Sequence, residues 1–180
     1  VLKIASADIQ HKTEVGGVIV GVEGADAVRA AHARLLDRVG SAAPSAKLDG
    51  VIVAAMAPDG VEAVIGVQRD PTFGPVVMVG LGGVLVEVLE DVAFRLAPFG
   101  VAEARRMIAS LKGAKVFEGV RGAPPADVDA LAELLARVSV FAASEAGRID
   151  SVDLNPVRVL PKGHGVVALD ALIVPAADPG

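Results

Sequence analysis

Residues 6–18, Ser6-Ala7-Asp8-Ile9-Gln10-His11-Lys12-Thr13-Glu14-Val15-Gly16-Gly17-Val18, leave one strand-like run at 1–5 and enter another at 18–20. Two strands joined by a polar turn, with a helical pattern after them, open an α/β layer. His11, Lys12 and the Gly16-Gly17 pair share the turn, and Lys3 lies on the strand before it. Imidazole is nucleophilic near neutral pH, ammonium groups neutralise phosphate charge, and glycines let backbone N–H groups approach phosphate oxygens. The turn therefore points to phosphate chemistry at His11. A polar hairpin with a solvated histidine is the plainer reading beside it.

Working outward, residues 25–39 place Val28, Ala31, His32, Leu35, Leu36 and Val39 on one helical face, and Gly40 is the expected stop. His32 reads as a packed, hydrogen-bonded residue of that face without a function. Residues 41–46 read as a loop. Strands are predicted at 51–57, 62–68, 76–80 and, with a break, 84–96. They are punctuated by Pro58-Asp59-Gly60, Asp70-Pro71-Thr72-Phe73-Gly74-Pro75 and Gly80-Leu81-Gly82-Gly83. Connections this short require antiparallel pairing.

Two helices follow. One spans 102–112 with Met107, Ile108 and Leu111 inward and Gly113 ending it. The other begins after Pro124-Pro125, with Val128, Leu131, Leu134, Leu135, Val138 and Phe141 inward, and stops at Gly147. Residues 148–174 read as strand, strand, hairpin and strand, with Pro161-Lys162-Gly163-His164-Gly165 as the turn and His164 a turn residue. The order predicts an α+β fold of mainly antiparallel sheets packed on helices.

A chain of 180 residues suits one core or two small lobes. Although 53% of the residues are hydrophobic, charge and glycine interrupt every apolar run, and none approaches the roughly 20 residues that span a bilayer. The net charge of −5 is spread evenly, without a basic stripe, which argues against nucleic-acid and membrane partners. Without cysteine there is no disulfide framework and no thiolate metal site, and a cytoplasmic protein is expected. A start inside an apolar strand, without an initiator methionine, leads us to expect a fragment of something longer.

Alternation along Ile149-Asp150-Ser151-Val152-Asp153-Leu154-Asn155 sets Ser151, Asp153 and Asn155 on one strand face, opposite Val152 and Leu154. In the final strand Val166, Ala168, Asp170 and Leu172 share a face, so Asp170 is a lone carboxylate among apolar residues and its charge needs a reason. If the strands are neighbours, Asn155 and Asp170 can jointly hold a divalent cation, and Mg²⁺ accepts few protein oxygens alongside phosphate and water. Pairing of Asp170 with an arginine such as Arg158 is the competing reading. The Gly80–Gly83 turn lacks a Walker-type lysine and fails the dinucleotide pattern. Residues 70–75 are either an ordered loop supporting a site or a plain Pro/Gly turn.

Three segments together resemble the ATP-grasp domain of NDP-forming (ADP-forming) acyl-CoA synthetases, relatives of the succinyl-CoA synthetase β subunit. They are Lys3 through His11-Lys12-Thr13-Glu14-Val15-Gly16-Gly17; Asp70–Pro75 with Gly80–Gly83; and Asp153-Leu154-Asn155-Pro156 with Ala168-Leu169-Asp170-Ala171. The likeness runs through essentially the whole chain. It implies an ATP-grasp fold incomplete at its N-terminal lobe, with residues 1–48 the remainder of that lobe and 49–180 the second lobe carrying the magnesium and nucleotide site.

The resemblance further implies that Lys3 contacts nucleotide phosphates, that Gly16 and Gly17 form the loop over them, and that Asn155 and Asp170 bind Mg²⁺. His11 becomes a relay that receives phosphate from a histidine on a CoA-binding, α-type domain or subunit and passes it to ADP. The hinge, Ala54-Ala55-Met56, lacks the Gln or Glu with which such domains commonly meet adenine, which leaves that contact to backbone groups. By itself the chain is expected not to catalyse the full reaction. Similar domains are also fused to protein lysine acetyltransferases as ligand-sensing, non-catalytic modules, and a homo-oligomer stays open.

Overall fold

The computed structural model describes residues 1–9, 11–83, 91–120 and 122–176. The chain divides into two compact units, Val1–Met56 and Ala57–Gly180. In the first unit β1 (Leu2–Ala5) lies between β2 (Val18–Ile19) and β3 (Gly50–Val53), antiparallel to both. Helix α1 (Ala25–Ala42) packs on it. Alternation turns Leu2 and Ile4 inward, where they meet Ile9 and the α1 stripe Ala31, Leu35 and Val39.

That stripe repeats every four residues, which carries His32 about 100° round the helix into solvent and overturns the expected packed histidine. The helix also runs through Gly40, which is exposed, and ends at Ala42. β3 bonds along β1 within the first unit, and the chain divides after Met56. The strand predicted over 51–57 stops at Val53.

In the second unit six strands form an antiparallel sheet. They are β4 (Val61–Asp70), β5 (Gly74–Leu81), β6 (Val92–Leu96), β7 (Ile149–Val159), β8 (Val166–Ala168) and β9 (Ala171–Pro175). The order is β6-β5-β4-β7-β8, and β9 also pairs with β7. One face carries Ala63, Ile65, Val67, Val77, Val79, Val152, Val157 and Val159 against α2 (Val101–Ala109) and α3 (Val128–Ser144). Helix side chains Met107, Ile108, Leu131 and Leu135 complete this core. Of the strand predicted over 84–96, residues 92–96 form β6, and 84–90 lie outside the described residues.

Buried polar groups tie the connections down. Asp91 accepts backbone N–H groups from Lys112 and Gly113 at 2.8 and 2.7 Å, so α2 ends at Ala109 and not at Gly113. Ser139 on α3 donates to the Phe99 carbonyl at 2.9 Å and accepts the Phe99 N–H at 3.1 Å. Asp127 caps α3 through the Ala130 N–H and also receives those of Gly163 and Gly165. Those N–H groups, Gly165 foremost, hold its carboxyl below the usual carboxylate range against the opposing effect of burial, with the Lys162 charge assisting. Phe141, expected inward, is exposed near the end of α3.

Candidate functional site

His11 is exposed on a segment rooted at both ends in the first unit's sheet. Its carbonyl accepts the Glu14 N–H at 3.2 Å, and the turn closes where Gly17 N–H meets the Lys12 carbonyl at 2.7 Å. A groove beside it is lined by Asp8, Ile9, Glu14 and Val15 and by Ala43, Ser45 and Ala46 after α1. Lys3 sits on β1 opposite Val18 and Ile52, on the face away from the core residues Leu2 and Ile4. The first unit thus holds Lys3, His11, Gly16 and Gly17.

Both glycines have structural work. Gly16 has φ +67°, a left-handed conformation that favours glycine. A Cβ at Gly17 would lie 2.7 Å from Ile4 Cγ2 and 2.8 Å from the Lys12 carbonyl oxygen. Their N–H groups are committed to Thr13 and Lys12, so in this conformation they shape the turn and are not offered to a phosphate.

Asn155 and Asp170 are brought together in the second unit. The predicted final strand is interrupted at residues 169 and 170, giving β8 and β9, both paired with β7, and Asp170 lies in the break. Its carbonyl accepts the Asn155 N–H at 3.3 Å, and its carboxylate accepts the Ala171 N–H at 3.1 Å. The two strands expected at the start of residues 148–174 are one continuous β7. Its register shifts against β4 around Asn155-Pro156, so the inward set changes from Val152 and Leu154 to Val157 and Val159.

Because of that shift, Ser151, Asp153 and Asn155 share the sheet face away from the helices with Arg158. Arg158 binds Glu62 on β4 at 2.7 Å, and lies 3.8 Å from Asp59. This charged pair escapes sequence reasoning, since only the register sets Glu62 opposite Arg158. Glu62 also anchors the glycine turn: its carbonyl accepts the Gly82 N–H at 2.7 Å, and a Cβ on Gly82 would fall 2.7 Å from its own. Residues 70–75 are a hairpin turn in which the Asp70 carboxylate accepts the N–H groups of Thr72 and Phe73 at 2.8 Å each. Among the described residues no cluster of three or more His, Asp or Glu side chains forms a ready metal cage, and Asn155 with Asp170 offers two oxygen-bearing side chains only.

An antiparallel three-stranded sheet with one helix, joined to a six-stranded sheet backed by helices with oxygen donors on its open face, defines an ATP-grasp domain. The ATP-grasp domain family model matches residues 1–174. Acetate–CoA ligase [ADP-forming] I of Archaeoglobus fulgidus is 44% identical over 167 residues, 93% of this chain and 24% of the relative. The β subunit of acetate–CoA ligase [ADP-forming] II of Pyrococcus furiosus is 36% identical, over 96% of this chain and 73% of the subunit. A solved Ca. Korarchaeum cryptofilum dinucleotide forming acetyl-coenzyme A synthetase 1, complexed with coenzyme A, Ca-AMPCP and HgCl⁺, superposes with a TM-score of 0.92. It is 41% identical, with 97% of this chain and 75% of that one covered. The chain belongs to the ATP-grasp domains of the ADP-forming acyl-CoA synthetases. It spans about a quarter of the length of the Archaeoglobus ligase and about three quarters of the Pyrococcus β subunit.

Proposed function

We propose that this chain is the nucleotide-binding, phosphoryl-transferring part of an ADP-forming acyl-CoA synthetase, an acid-thiol ligase that interconverts acyl-CoA and ATP through a histidine relay. The observation that carries this reading is His11 itself, an exposed imidazole on a turn held at both roots. Support comes from a related structure, 39% identical with a TM-score of 0.80, described with Mg-AMPPCP and a phosphohistidine segment pointing towards the nucleotide binding site.

In this reading His11 takes the phosphoryl group from a phosphohistidine on a CoA-binding, α-type domain or subunit. A new N–P bond forms as the donor's N–P bond breaks. A β-phosphate oxygen of ADP then attacks the phosphorus, the His11 N–P bond breaks, and ATP forms. Lys3 neutralises phosphate charge, and Gly16 and Gly17 shape the turn. Asn155 and Asp170 supply hard oxygen donors suited to Mg²⁺, which when bound neutralises the nucleotide phosphates. Residues 1–56 act as the first lobe and 57–180 as the second.

Relatives 41–44% identical are named for acetate, trans-ferulate and 4-hydroxybutyrate, which supports an acid site outside this chain. The Pyrococcus relatives are named as β subunits, which supports an α-type partner here. A cytoplasmic location accompanies this reading, and the oligomeric state belongs to the assembled enzyme. All these relatives are named as ligases or CoA synthases, and this favours the enzyme over the acetyltransferase-fused sensor.

The test is His11→Ala in the complete synthetase. Phosphate passage to ADP is expected to stop while the fold persists, because substitutions at exposed positions shift stability by only about 0.5 kcal/mol. An undiminished rate would reject the relay.

A further inference from the structure

Pairing of β1 with β3 runs from Leu2 opposite Val53 to Ala5 opposite Gly50. Continued in that register, Asp8 falls opposite Lys47. The backbone ladder reaches only to the Asp49 N–H on the Ala5 carbonyl at 2.8 Å, and beyond it side chains replace main chain. Ser6 Oγ donates to the Lys47 carbonyl at 2.7 Å, and Asp8 Oδ2 accepts the Lys47 N–H at 2.8 Å. Ser6 Oγ also accepts the Asp8 N–H at 3.2 Å, which closes the clamp on itself. Directly after it Ile9, 7% exposed, is seated in the first unit's core.

At the other end Gly17 accepts the Ile4 N–H at 2.8 Å, so the segment is pinned on both sides. His11 lies two residues beyond Ile9, and its Cα can therefore move no farther than about 7 Å from that of Ile9. A group that collects phosphate at one place and delivers it at another needs a longer reach. Withdrawing Ile9 provides it.

We propose that the Ser6–Asp8 clamp on Lys47, with Ile9 seated beside it, is a releasable latch that stores the His11 segment when closed and frees it to travel when open. The inference rests on the phosphoryl-carrier reading of His11. Release suits this clamp because Asp8 is exposed, so water replaces its bond readily. The β1–β3 ladder stays paired when the clamp opens.

The test is a reversible lock. Residues 1–180 contain no cysteine, so Asp8→Cys with Lys47→Cys places one thiol pair where the Asp8 side chain already reaches the Lys47 backbone. In the complete synthetase, oxidation is expected to slow ATP formation from acyl-CoA at least about tenfold, and reduction to restore it, with Mg-ADP affinity unchanged. Full activity in enzyme proven to be cross-linked would overturn the latch. If the pair does not close, Asp8→Ala decides: exchange of the Lys47 amide and of residues 11–16 is expected to rise about tenfold, and unchanged exchange overturns the latch. Activity surviving His11→Ala would instead reject the carrier reading.

Discussion

The backbone N–H of Asn155 meets the carbonyl of Asp170 at 3.3 Å, which ties the register shift of β7 to the break between β8 and β9. Two local irregularities thus coincide, one at the exposed Asn155 and one at the half-buried Asp170. Regular strands would turn one of every two residues inward. The interruption lets Asp170 stay half-exposed.

Replacing either side chain should therefore affect ligand more than fold. Asn155→Ala and Asp170→Ala are each expected to weaken Mg-ADP binding at least about tenfold by calorimetric titration, while unfolding free energy changes by less than about 1 kcal/mol. Wild-type affinity in both variants would move the metal site elsewhere.

Asp127 makes acid stability a local matter. Its carboxyl is held low by the N–H groups of Gly165, Ala130 and Gly163, so the folded state binds its proton less readily than the unfolded chain. Its contribution is complete above the ordinary carboxylate value of about 4 and is lost as pH falls through the lowered folded value. Asp127→Ala is expected to cost about 2 kcal/mol at pH 7 in urea unfolding, and to flatten the acid limb below about pH 4. An acid limb as steep as wild type would assign the acid sensitivity to other carboxylates.

The paired glycines should differ. Gly17→Ala drives a methyl against Ile4 and the Lys12 carbonyl and is expected to destabilise the first unit by about 2–3 kcal/mol. At Gly16 the nearest atom is Cδ of Arg38, a side chain that can swing away, so the positive φ sets the cost at about 1 kcal/mol. Amide exchange in β1 and β2 reads both, and equal costs would contradict the packing at Ile4.

Ser139→Ala leaves the N–H and carbonyl of Phe99 without their α3 partner. Denaturant unfolding is expected to show a loss of about 2 kcal/mol. A neutral result would mean that water replaces the hydroxyl.

Much of the fold was readable in the chain. Alternation located β4, β5 and β7, the spacing of Leu131, Leu135 and Val138 located α3, and Pro124-Pro125 marked its approach. The misplacements arose where a local signal competed with packing. Glycines at 40 and 113 read as helix stops, yet α1 continues through Gly40 because the Leu35 and Val39 stripe is buried, and α2 stops before Gly113 because Asp91 binds the turn. His32 and Phe141 fit an apolar periodicity but lie outside the contacts actually made. An Asp following Pro124-Pro125 and preceding an apolar run is an N-cap signal, and it could have located Asp127.

By itself the sequence determined which residues offer reactive or charged groups, since an imidazole, an ammonium group and side-chain oxygens are properties of residue type, and short-range spacing set strand against helix. Tertiary structure alone decided what those residues face. The packing of distant segments brought Asn155 to Asp170, Glu62 to Arg158 and Asp8 to Lys47, pairs separated by 15 to 96 positions in the chain. No local periodicity encodes such partners, because they are selected by how two separate cores bury their apolar faces.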